Sequence, residues 1–253
     1  MKRAQDPPDG GVQSVEVGVA IFSHLIYAEE AMSLKAIADA SGTAPAKIHR
    51  YLRSFVRSGL VVQNKKTRHY DLGPLAFSLG ALALKRHGIP AACDHLRELR
   101  EHTGQSASLV IWGAQGPIVA RYELIPKHTQ SLIPIREMPV TTSAAGHLFA
   151  ALLPESMTSA LIAEELPVAQ APAFRKIVSE TRVRRMARVS NGVVSGMSAM
   201  SAPLLGADGN VVAAVCVLGR THDLDTSWNG SSATALMRFV SSLNAQVRSV
   251  PEN

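Results

Sequence analysis

The chain has 253 residues, 46% of them hydrophobic and 18% charged, which allows two small globular domains and excludes a largely disordered protein. The formal net charge is +6, yet residues Thr43 to Tyr70 alone carry seven Lys or Arg and no Asp or Glu, so the remainder sums to −1. Cys93 and Cys216 form no CxxC pair, which predicts free thiols in a reducing compartment. No stretch reaches the roughly 18 apolar residues of a membrane span, and the start lacks a signal-peptide core. We therefore expect a cytoplasmic protein.

The first third of the chain carries helix signals in helix-turn-helix order. After a polar tail, residues 1–13, which we expect to be disordered, Ser14 caps a predicted helix that runs to about Glu30. Ser33 begins a second, short helix, Ser41-Gly42 ends it, and a third helix follows at once. In this layout the last helix enters the major groove and the one before it supports it. The order predicts a winged helix-turn-helix DNA-binding domain over residues 14–72.

The third helix has an apolar back and a basic front. Ile48, Leu52 and Phe55 recur at helical spacing, and the cations of this helix fall outside that stripe. A surface with many cations and no acid is typical of contact with phosphates. The exposed start and front of this helix are therefore the predicted reader of double-stranded DNA.

A hairpin with a basic tip follows the third helix. The runs LVVQ and RHYDL are β-prone and flank Asn64-Lys65-Lys66-Thr67, a plausible turn. We call this predicted hairpin the wing. Lys65, Lys66 and Arg68 are expected to reach the DNA backbone or the minor groove.

A mostly apolar helix is predicted between the two halves of the chain. Residues 73–88 contain Leu75, Leu79 and Leu82 in a row, and His87-Gly88-Ile89-Pro90 breaks the pattern. Such a helix packs either against a second copy of itself or against its own domain. We place the domain boundary at its end.

The second half, residues 89–253, alternates helical and β-prone stretches. Helices are predicted over about 91–102, 155–165, 172–188 and 231–247, with a further one in TTSAAGHLFAALL. The β-prone runs are ASLVIW, GPIVARYEL, SLIPI, VVSGMSAMSAPLL and NVVAAVCVLG. Helices on one side of a mainly antiparallel sheet would make an α+β sensor-like domain.

Three motifs, in this order, resemble the IclR family of bacterial transcription regulators. They are IHRYLRSFVRSGLV, MPVTTSAAGHLFAALLP and GMSAMSAPLLGADGNVVAAVCVLG, and the resemblance runs from about Ser14 to the last helix. It implies an N-terminal winged helix-turn-helix, a linker helix that dimerises, and a C-terminal GAF-like effector-binding domain. Regulators of this kind bind operator DNA as homodimers or homotetramers and respond to a small organic acid, without a cofactor or a metal.

The resemblance assigns DNA contacts residue by residue. Many relatives carry a Ser-Thr pair where this chain has Ala46-Lys47, so Lys47 is a candidate for contacting guanine or a phosphate. Arg50 matches the family's arginine and would make a backbone phosphate contact. The full set of predicted DNA-binding residues is Thr43, Pro45, Ala46, Lys47, His49, Arg50, Arg53, Lys65, Lys66 and Arg68.

The resemblance also locates an effector pocket. Free amides at the helix start in TTSAAGHL can accept a carboxylate, because they have no intrahelical partner and lie at the positive end of the helix dipole. Positions that are polar in relatives binding very polar acids fall on Val189 or Ser190, Ala199, Cys216 and Leu218. The pocket is therefore expected to be more apolar and to take a mono-carboxylic acid with an apolar or aromatic body. The predicted effector-binding residues are Ser143, Ala144, Ala145, Gly146, Val189, Ser190, Ala199, Cys216 and Leu218.

Other constellations were weighed against this hypothesis. The nine histidines lack metal-ligand spacing, and no motif supplies a base for Cys216 as a nucleophile, so we expect neither a metal site nor catalysis. A cluster of four arginines between 182 and 188 is read as a solvated helix face. The alternative to a regulator is a cytosolic small-molecule enzyme or carrier with a segment that binds nucleic acid without sequence preference.

Overall fold

The computed structural model describes residues 11–126 and 137–248, the last three by backbone alone. Two compact units divide between Leu84 and Lys85. The predicted strand SLIPI and most of the predicted tail lie outside the described residues.

The first unit contains three helices, a hairpin and most of a fourth helix. They are α1 (Gln13–Tyr27), α2 (Leu34–Ser41), α3 (Pro45–Ser58), β1 (Val61–Gln63), β2 (Tyr70–Leu72) and α4 (Pro74–Arg86). Ile21, Ile37, Ile48 and Leu52 are at most 2% exposed and form the centre of its core. The winged helix-turn-helix predicted from the sequence is therefore present.

Local chemistry sets the ends of these helices. The Ser33 hydroxyl accepts a hydrogen bond from the Ala36 amide and caps α2, and Gly42 ends it at a φ of 60°. Ser14, the predicted cap of α1, is already helical, and α1 stops at Tyr27 rather than at Glu30. The carbonyl of Val12 accepts the amides of the first turn instead, so no side chain caps α1.

The wing is held by more than its own two strands. Met32 bridges to Tyr70 with backbone hydrogen bonds of 2.9 and 2.7 Å, which adds a third short strand segment. At the tip, the Asn64 side-chain oxygen accepts hydrogen bonds from the Lys66 and Thr67 amides. The backbone of the tip is thus fixed independently of the lysine side chains.

The second unit is a five-stranded antiparallel sheet with helices. Its strands lie in the order β4-β3-β7-β6-β5. They are β3 (Ser106–Gly113), β4 (Gly116–Glu123), β5 (Ala187–Ser190), β6 (Met197–Leu205) and β7 (Val211–Arg220). The helices are α5 (Ile89–Thr103), α6 (Ala144–Leu152), α7 (Glu155–Glu165), α8 (Ala171–Arg184) and α9 (Ser231–Arg248), with a short 3-10 turn at Val168–Gln170.

Helices cover both faces of this sheet, so the expectation of a one-sided arrangement was wrong. On β7, Ala214 and Cys216 pack with α6, while Val215 and Val217 point the other way and are also fully buried. The helices α5 and α9 pack on β3, β6 and β7 and account for that second buried face. The run VVAAVCVLG is apolar at every position, which indicates burial on both faces, so the sequence carried a signal that the one-sided expectation did not use.

The helix predicted over 172–188 is also shorter than expected. It ends at Arg184, Arg185 takes a left-handed backbone with a φ of 55°, and the chain enters strand β5 two residues later. Arg188 therefore lies on a strand and not on a helix. Its guanidinium and that of Arg184 stack on the Trp228 ring at 4.2 and 4.5 Å.

Candidate DNA-binding surface and effector cavity

The front of α3 presents its polar side chains to solvent. Ile48 and Leu52 are fully buried on the back, whereas Lys47, His49 and Arg50 are exposed. Pro45, Ala46 and Arg53 are exposed as well. The predicted contact Thr43 is half-buried, and its hydroxyl donates to the Ser41 carbonyl at 3.3 Å, which places it in the turn.

The wing places its cations beside α3. Lys65, Lys66 and Arg68 are all exposed, and Arg68 adopts a left-handed φ of 62° that only a few per cent of non-glycine residues show. A groove between α3 and the wing is lined by His49, Arg50, Arg53, Ser54, Val56, Arg57, Gln63 and Tyr70. Arg57 belongs to this groove but is missing from the predicted contacts, although the helical spacing already placed it on the basic front.

Among the described residues, the cations of the first unit have no anionic partner within 4.0 Å. All ion pairs recorded among the described residues lie at residue 95 or beyond. Unpaired, exposed cations keep their full attraction for a partner's phosphates. The predicted DNA-binding residues other than Thr43 thus share one continuous stretch of helix and wing that is open and positively charged.

The second unit contains a cavity beneath the start of α6. Its volume is about 590 Å³, including the opening to solvent. The walls are the start of α6, one face of the sheet, and the connection between β5 and β6. Seven of the predicted effector-binding residues line it, namely Ser143, Ala144, Ala145, Val189, Ala199, Cys216 and Leu218.

Two predicted residues do not line the cavity. The Gly146 amide donates to the Ser143 hydroxyl oxygen at 2.8 Å, so it is not free for a ligand. A Cβ on Gly146 would lie 2.3 Å from the Val140 carbonyl oxygen, which explains the glycine by close packing of backbone. Ser190 is exposed because it follows the inward-facing Val189 on β5 and points to the opposite side.

Several cavity residues were not predicted. They are Ser108, Tyr122, Met138, Thr142, Gly192, Val193, Val194, Met197 and Ser198. Strand register brings Ser108 of β3 and Tyr122 of β4 to the cavity wall. Ser108 lies opposite Tyr122 on one neighbouring strand and opposite Cys216 on the other. Gly192 packs against the Thr142 carbonyl, where a Cβ would lie 2.2 Å from the oxygen, and so brings the β5–β6 connection against the helix start.

A run of four amides at the start of α6 lies at the wall of the cavity. The amides of Thr142, Ser143, Ala144 and Ala145 have no hydrogen-bond partner among the described residues, and all four residues line the cavity. They include the first two helical residues, whose amides cannot bond within the helix. The helix dipole adds a partial positive charge at the same place.

The rest of the cavity is apolar with a few hydroxyl groups. Burial raises the pKa of the Tyr122 phenol to about 12, so this group stays neutral. Burial likewise raises the pKa of the Cys216 thiol to about 12, against a smaller lowering by the Ser108 hydroxyl. A thiol in that state is a poor nucleophile. Among the described residues, those that line the cavity include no Lys, Arg or His.

The segment that leads into α6 is held by two side chains, the buried His147 and the exposed Glu165. The His147 Nε2 lies 2.7 Å from the Thr141 carbonyl oxygen and donates to it, while burial lowers the pKa of His147. The ring is 5% exposed and stands edge-on to Phe174. On the other side, the Glu165 carboxylate accepts the amides of Val140 and Thr141 at 2.9 and 2.8 Å.

The described part of the chain, residues 11–126 and 137–248, contains no group of His, Cys, Asp or Glu arranged to hold a metal ion. Within the same residues no helix is long and apolar enough to cross a membrane.

A helix-turn-helix with an exposed basic front, in one chain with a sheet domain that contains an apolar cavity, is typical of a class of protein: DNA-binding transcriptional regulators with a ligand-binding domain. Comparison with known proteins makes this assignment specific. Residues 14–65 match the IclR helix-turn-helix domain. Over 243 residues the chain is 27% identical to the glycerol operon regulatory protein of Streptomyces griseus, covering 93% of this chain and 95% of the relative.

Solved structures show the same fold over nearly the whole chain. An IclR transcriptional regulator from Silicibacter sp. TM1040 covers 94% of this chain and 98% of its own, with a TM-score of 0.80 and 21% identity. An IclR homolog from Microbacterium hydrocarbonoxydans, complexed with 4-hydroxybenzoate, covers 91% of this chain and 99% of its own, with a TM-score of 0.67 and 14% identity. The helix-turn-helix domain over residues 14–65 is thus of the IclR type, and over nearly its whole length the chain is similar to IclR transcriptional regulators.

Proposed function

We propose that this regulator binds operator DNA as a dimer or tetramer and releases or engages it in response to a mono-carboxylic acid with an apolar or aromatic body. It would act in the cytoplasm, where its DNA is. The observation that carries the ligand class is the run of four unpaired amides from Thr142 to Ala145 at the wall of an apolar cavity. A carboxylate would receive charge-assisted hydrogen bonds there.

The charge of the described cavity wall supports a ligand with one carboxylate. The lining residues that the structure describes include no Lys, Arg or His, so a second carboxylate would lose its water without gaining an opposite charge from them. An apolar body, by contrast, fits against side chains such as Val189, Val194 and Leu218. The 4-hydroxybenzoate bound by the Microbacterium hydrocarbonoxydans homolog is a ligand of this chemical class.

The linker helix supports the association. No residue of α4 is buried, and Phe77, Leu79 and Leu82 are 70%, 55% and 46% exposed. A row of large apolar side chains left open on one helix is typical of a surface that a second copy covers. Light scattering on the full chain should therefore report a mass of at least twice 27.0 kDa. A monomer at micromolar concentration would contradict this part of the proposal.

DNA binding is tested with the DNA that flanks the protein's own gene. Sequence-specific retardation in a gel-shift experiment is expected, and binding that any DNA competes away at moderate salt would contradict it. Benzoate or a related acid should then change the retardation, with neutral benzamide as the matched control for the carboxylate. An aromatic dianion such as terephthalate should have a weaker effect than benzoate.

A single substitution tests the amides directly. Ala144 is the first residue of α6, where proline is well tolerated, and Ser143 before it is already extended, with φ −103° and ψ 149°. Ala144→Pro therefore removes one amide donor without breaking the helix. The affinity for the acid, measured by titration calorimetry, should fall roughly 10-fold or more. Unchanged affinity would show that the amides do not bind the ligand.

A further inference from the structure

Glu165 lies at the last residue of α7, far in sequence from the cavity, yet its side chain reaches the segment that leads into α6. One carboxylate oxygen accepts the Val140 amide at 2.9 Å. The other accepts both the amide and the hydroxyl of Thr141, each at 2.8 Å. Although part of the residue is exposed, three donors converge on one carboxylate, and hydrogen bonds to a charged acceptor are about twice as strong as neutral ones.

Other polar groups of the same segment are hydrogen-bonded as well. The Thr141 carbonyl accepts from His147 at 2.7 Å. The Ser143 hydroxyl donates to the Pro139 carbonyl at 2.6 Å and accepts the Gly146 amide at 2.8 Å. The amides on either side of Thr142 to Ala145 are therefore occupied, and the amides of these four residues are left for the cavity.

The helix that carries Glu165 also packs on this segment. Val140 is fully buried, and Leu161, Ile162 and Leu166 pack into the small cluster that contains it. Both the apolar contact and the ionic hydrogen bonds thus join the C-terminal half of α7 to the residues just before the four amides. A change in the position of α7 would be passed to those amides through Val140 and Thr141.

We propose that Glu165 is a positioning residue of the effector site, which acts through Thr141 to aim the four amides at the ligand. This inference rests on the ligand site proposed above. It also makes α7 a regulatory element of that site, because ligand binding and the placement of α7 share the same hydrogen bonds. Glu165 does not itself contact the cavity, since it is not among the lining residues.

The chain supplies a matched control at the neighbouring position. Glu164 is exposed and makes no hydrogen bond or ion pair with the described residues. Glu165→Gln keeps the size of the side chain but replaces one acceptor oxygen by a donor, which opposes one backbone amide. Thr141→Val removes only the hydroxyl bond and leaves both amide bonds in place. The expected order of effect is Glu165→Gln, then Thr141→Val, then Glu164→Gln with none.

Two measurements on the full chain test the proposal. In hydrogen exchange without ligand, the Val140 and Thr141 amides, which donate to Glu165, should exchange roughly 10-fold or more faster in Glu165→Gln than in wild type. In calorimetry, benzoate affinity should fall roughly 10-fold in Glu165→Gln, with Glu164→Gln unchanged in both measurements. Exchange unchanged in Glu165→Gln would overturn the proposal.

The two arms also separate this inference from the ligand proposal. Faster exchange with unchanged benzoate affinity would mean that Glu165 only braces the fold, which overturns its positioning role. If wild type binds none of the acids, the proposed ligand class is wrong. Hydrogen exchange then tests alone whether Glu165 holds the segment before the four amides. Faster exchange confined to the Val140 and Thr141 amides supports it, and unchanged exchange overturns it.

Discussion

The two units differ in whether their polar groups are exposed or hydrogen-bonded within the protein. On the DNA-binding surface, the cations of α3 and the wing are exposed and without ion pairs among the described residues, so they keep their charge for a partner. Around the cavity, several polar groups of the segment before α6 are hydrogen-bonded within the protein, and four consecutive amides have no partner among the described residues. The first surface works through the number of its charges. The second works through the placement of its backbone, so small steric changes should matter more there.

The largest expected effect tests that steric sensitivity. In Gly146→Ala the new Cβ would lie 2.3 Å from the Val140 carbonyl oxygen and 2.5 Å from that of Pro139, and neither backbone atom can yield easily. We expect a loss of about 3 kcal/mol in the free energy of unfolding of the second unit, measured by denaturant titration. Gly80→Ala, on α4 where a Cβ meets nothing within 4 Å, is the control and should be neutral or slightly stabilising. Equal behaviour of the two variants would contradict the packing argument.

A smaller effect is expected on DNA affinity, and it distinguishes contacts to bases from contacts to the phosphate backbone. Lys47 is exposed in the first turn of α3, and Lys66 is exposed at the wing tip. Lys47→Ala should change the preferred base at one operator position, by about 2 kcal/mol. Lys66→Ala should weaken binding to all sequences alike and lower the slope of log affinity against log salt by about one unit. Binding titrations over a set of operator variants and salt concentrations measure both, and uniform weakening by both variants would contradict the assigned roles.

The smallest expected effect is a pH dependence of the stability of the second unit, which contains the cavity. Burial lowers the pKa of His147 below its ordinary 6.5. Above pH 6.5 the residue is neutral in both states, but as pH falls below 6.5 the unfolded chain takes up a proton that the folded protein resists. The free energy of unfolding of the second unit should therefore decrease as pH falls from 6.5 toward the lower folded pKa. Thermal unfolding followed over this range would show it.

The control for this pH effect is His147→Gln, whose amide can still donate to the Thr141 carbonyl but does not titrate. The variant should lose the dependence between pH 6.5 and the folded pKa. Asp208 and Asp225 do not interfere, because hydrogen bonds from Asn210 and Ser227 lower their pKa values below 3.8 and their contributions are lost only at still lower pH. An unchanged pH profile in the variant would show that a group other than His147 causes the loss of stability.

The difference between the units also explains which features could be predicted from the sequence. The first unit was predictable because its signals are local. The stripe of Ile48 and Leu52, the glycine after α2 and the turn at Asn64 each act within a few residues. What local signals did not show is the bridge from Met32 to Tyr70, which joins segments 38 positions apart.

The cavity was only partly predictable, because it is assembled by strand register. The resemblance placed Ala199, Cys216 and Leu218 at the wall, where the structure also has them, but gave no means of finding Tyr122 and Ser108. Their positions follow from the pairing of β4, β3 and β7, which no single strand encodes. Gly146 was assigned to the ligand from its place at a helix start, whereas the Ser143 hydroxyl already occupies its amide.

The end of α8 shows a different limit. The residues from Arg182 to Arg188 have no helix-breaking glycine or proline, so the sequence favours a continuous helix. The structure ends it at Arg184 because the next residues pair with β6 as an edge strand. Tertiary pairing here overrides a local preference.

The construction of the wing tip has a consequence for engineering. The Asn64 side chain and backbone hold the turn, so the side chains of Lys65 and Lys66 are not needed for folding. The two positions can then be substituted with acidic, neutral or basic pairs to lower or raise the affinity for the operator, while the fold stays unchanged. Substitutions at these two positions could therefore give a series of biosensors. Its members would share one ligand response and differ in their expression level without ligand.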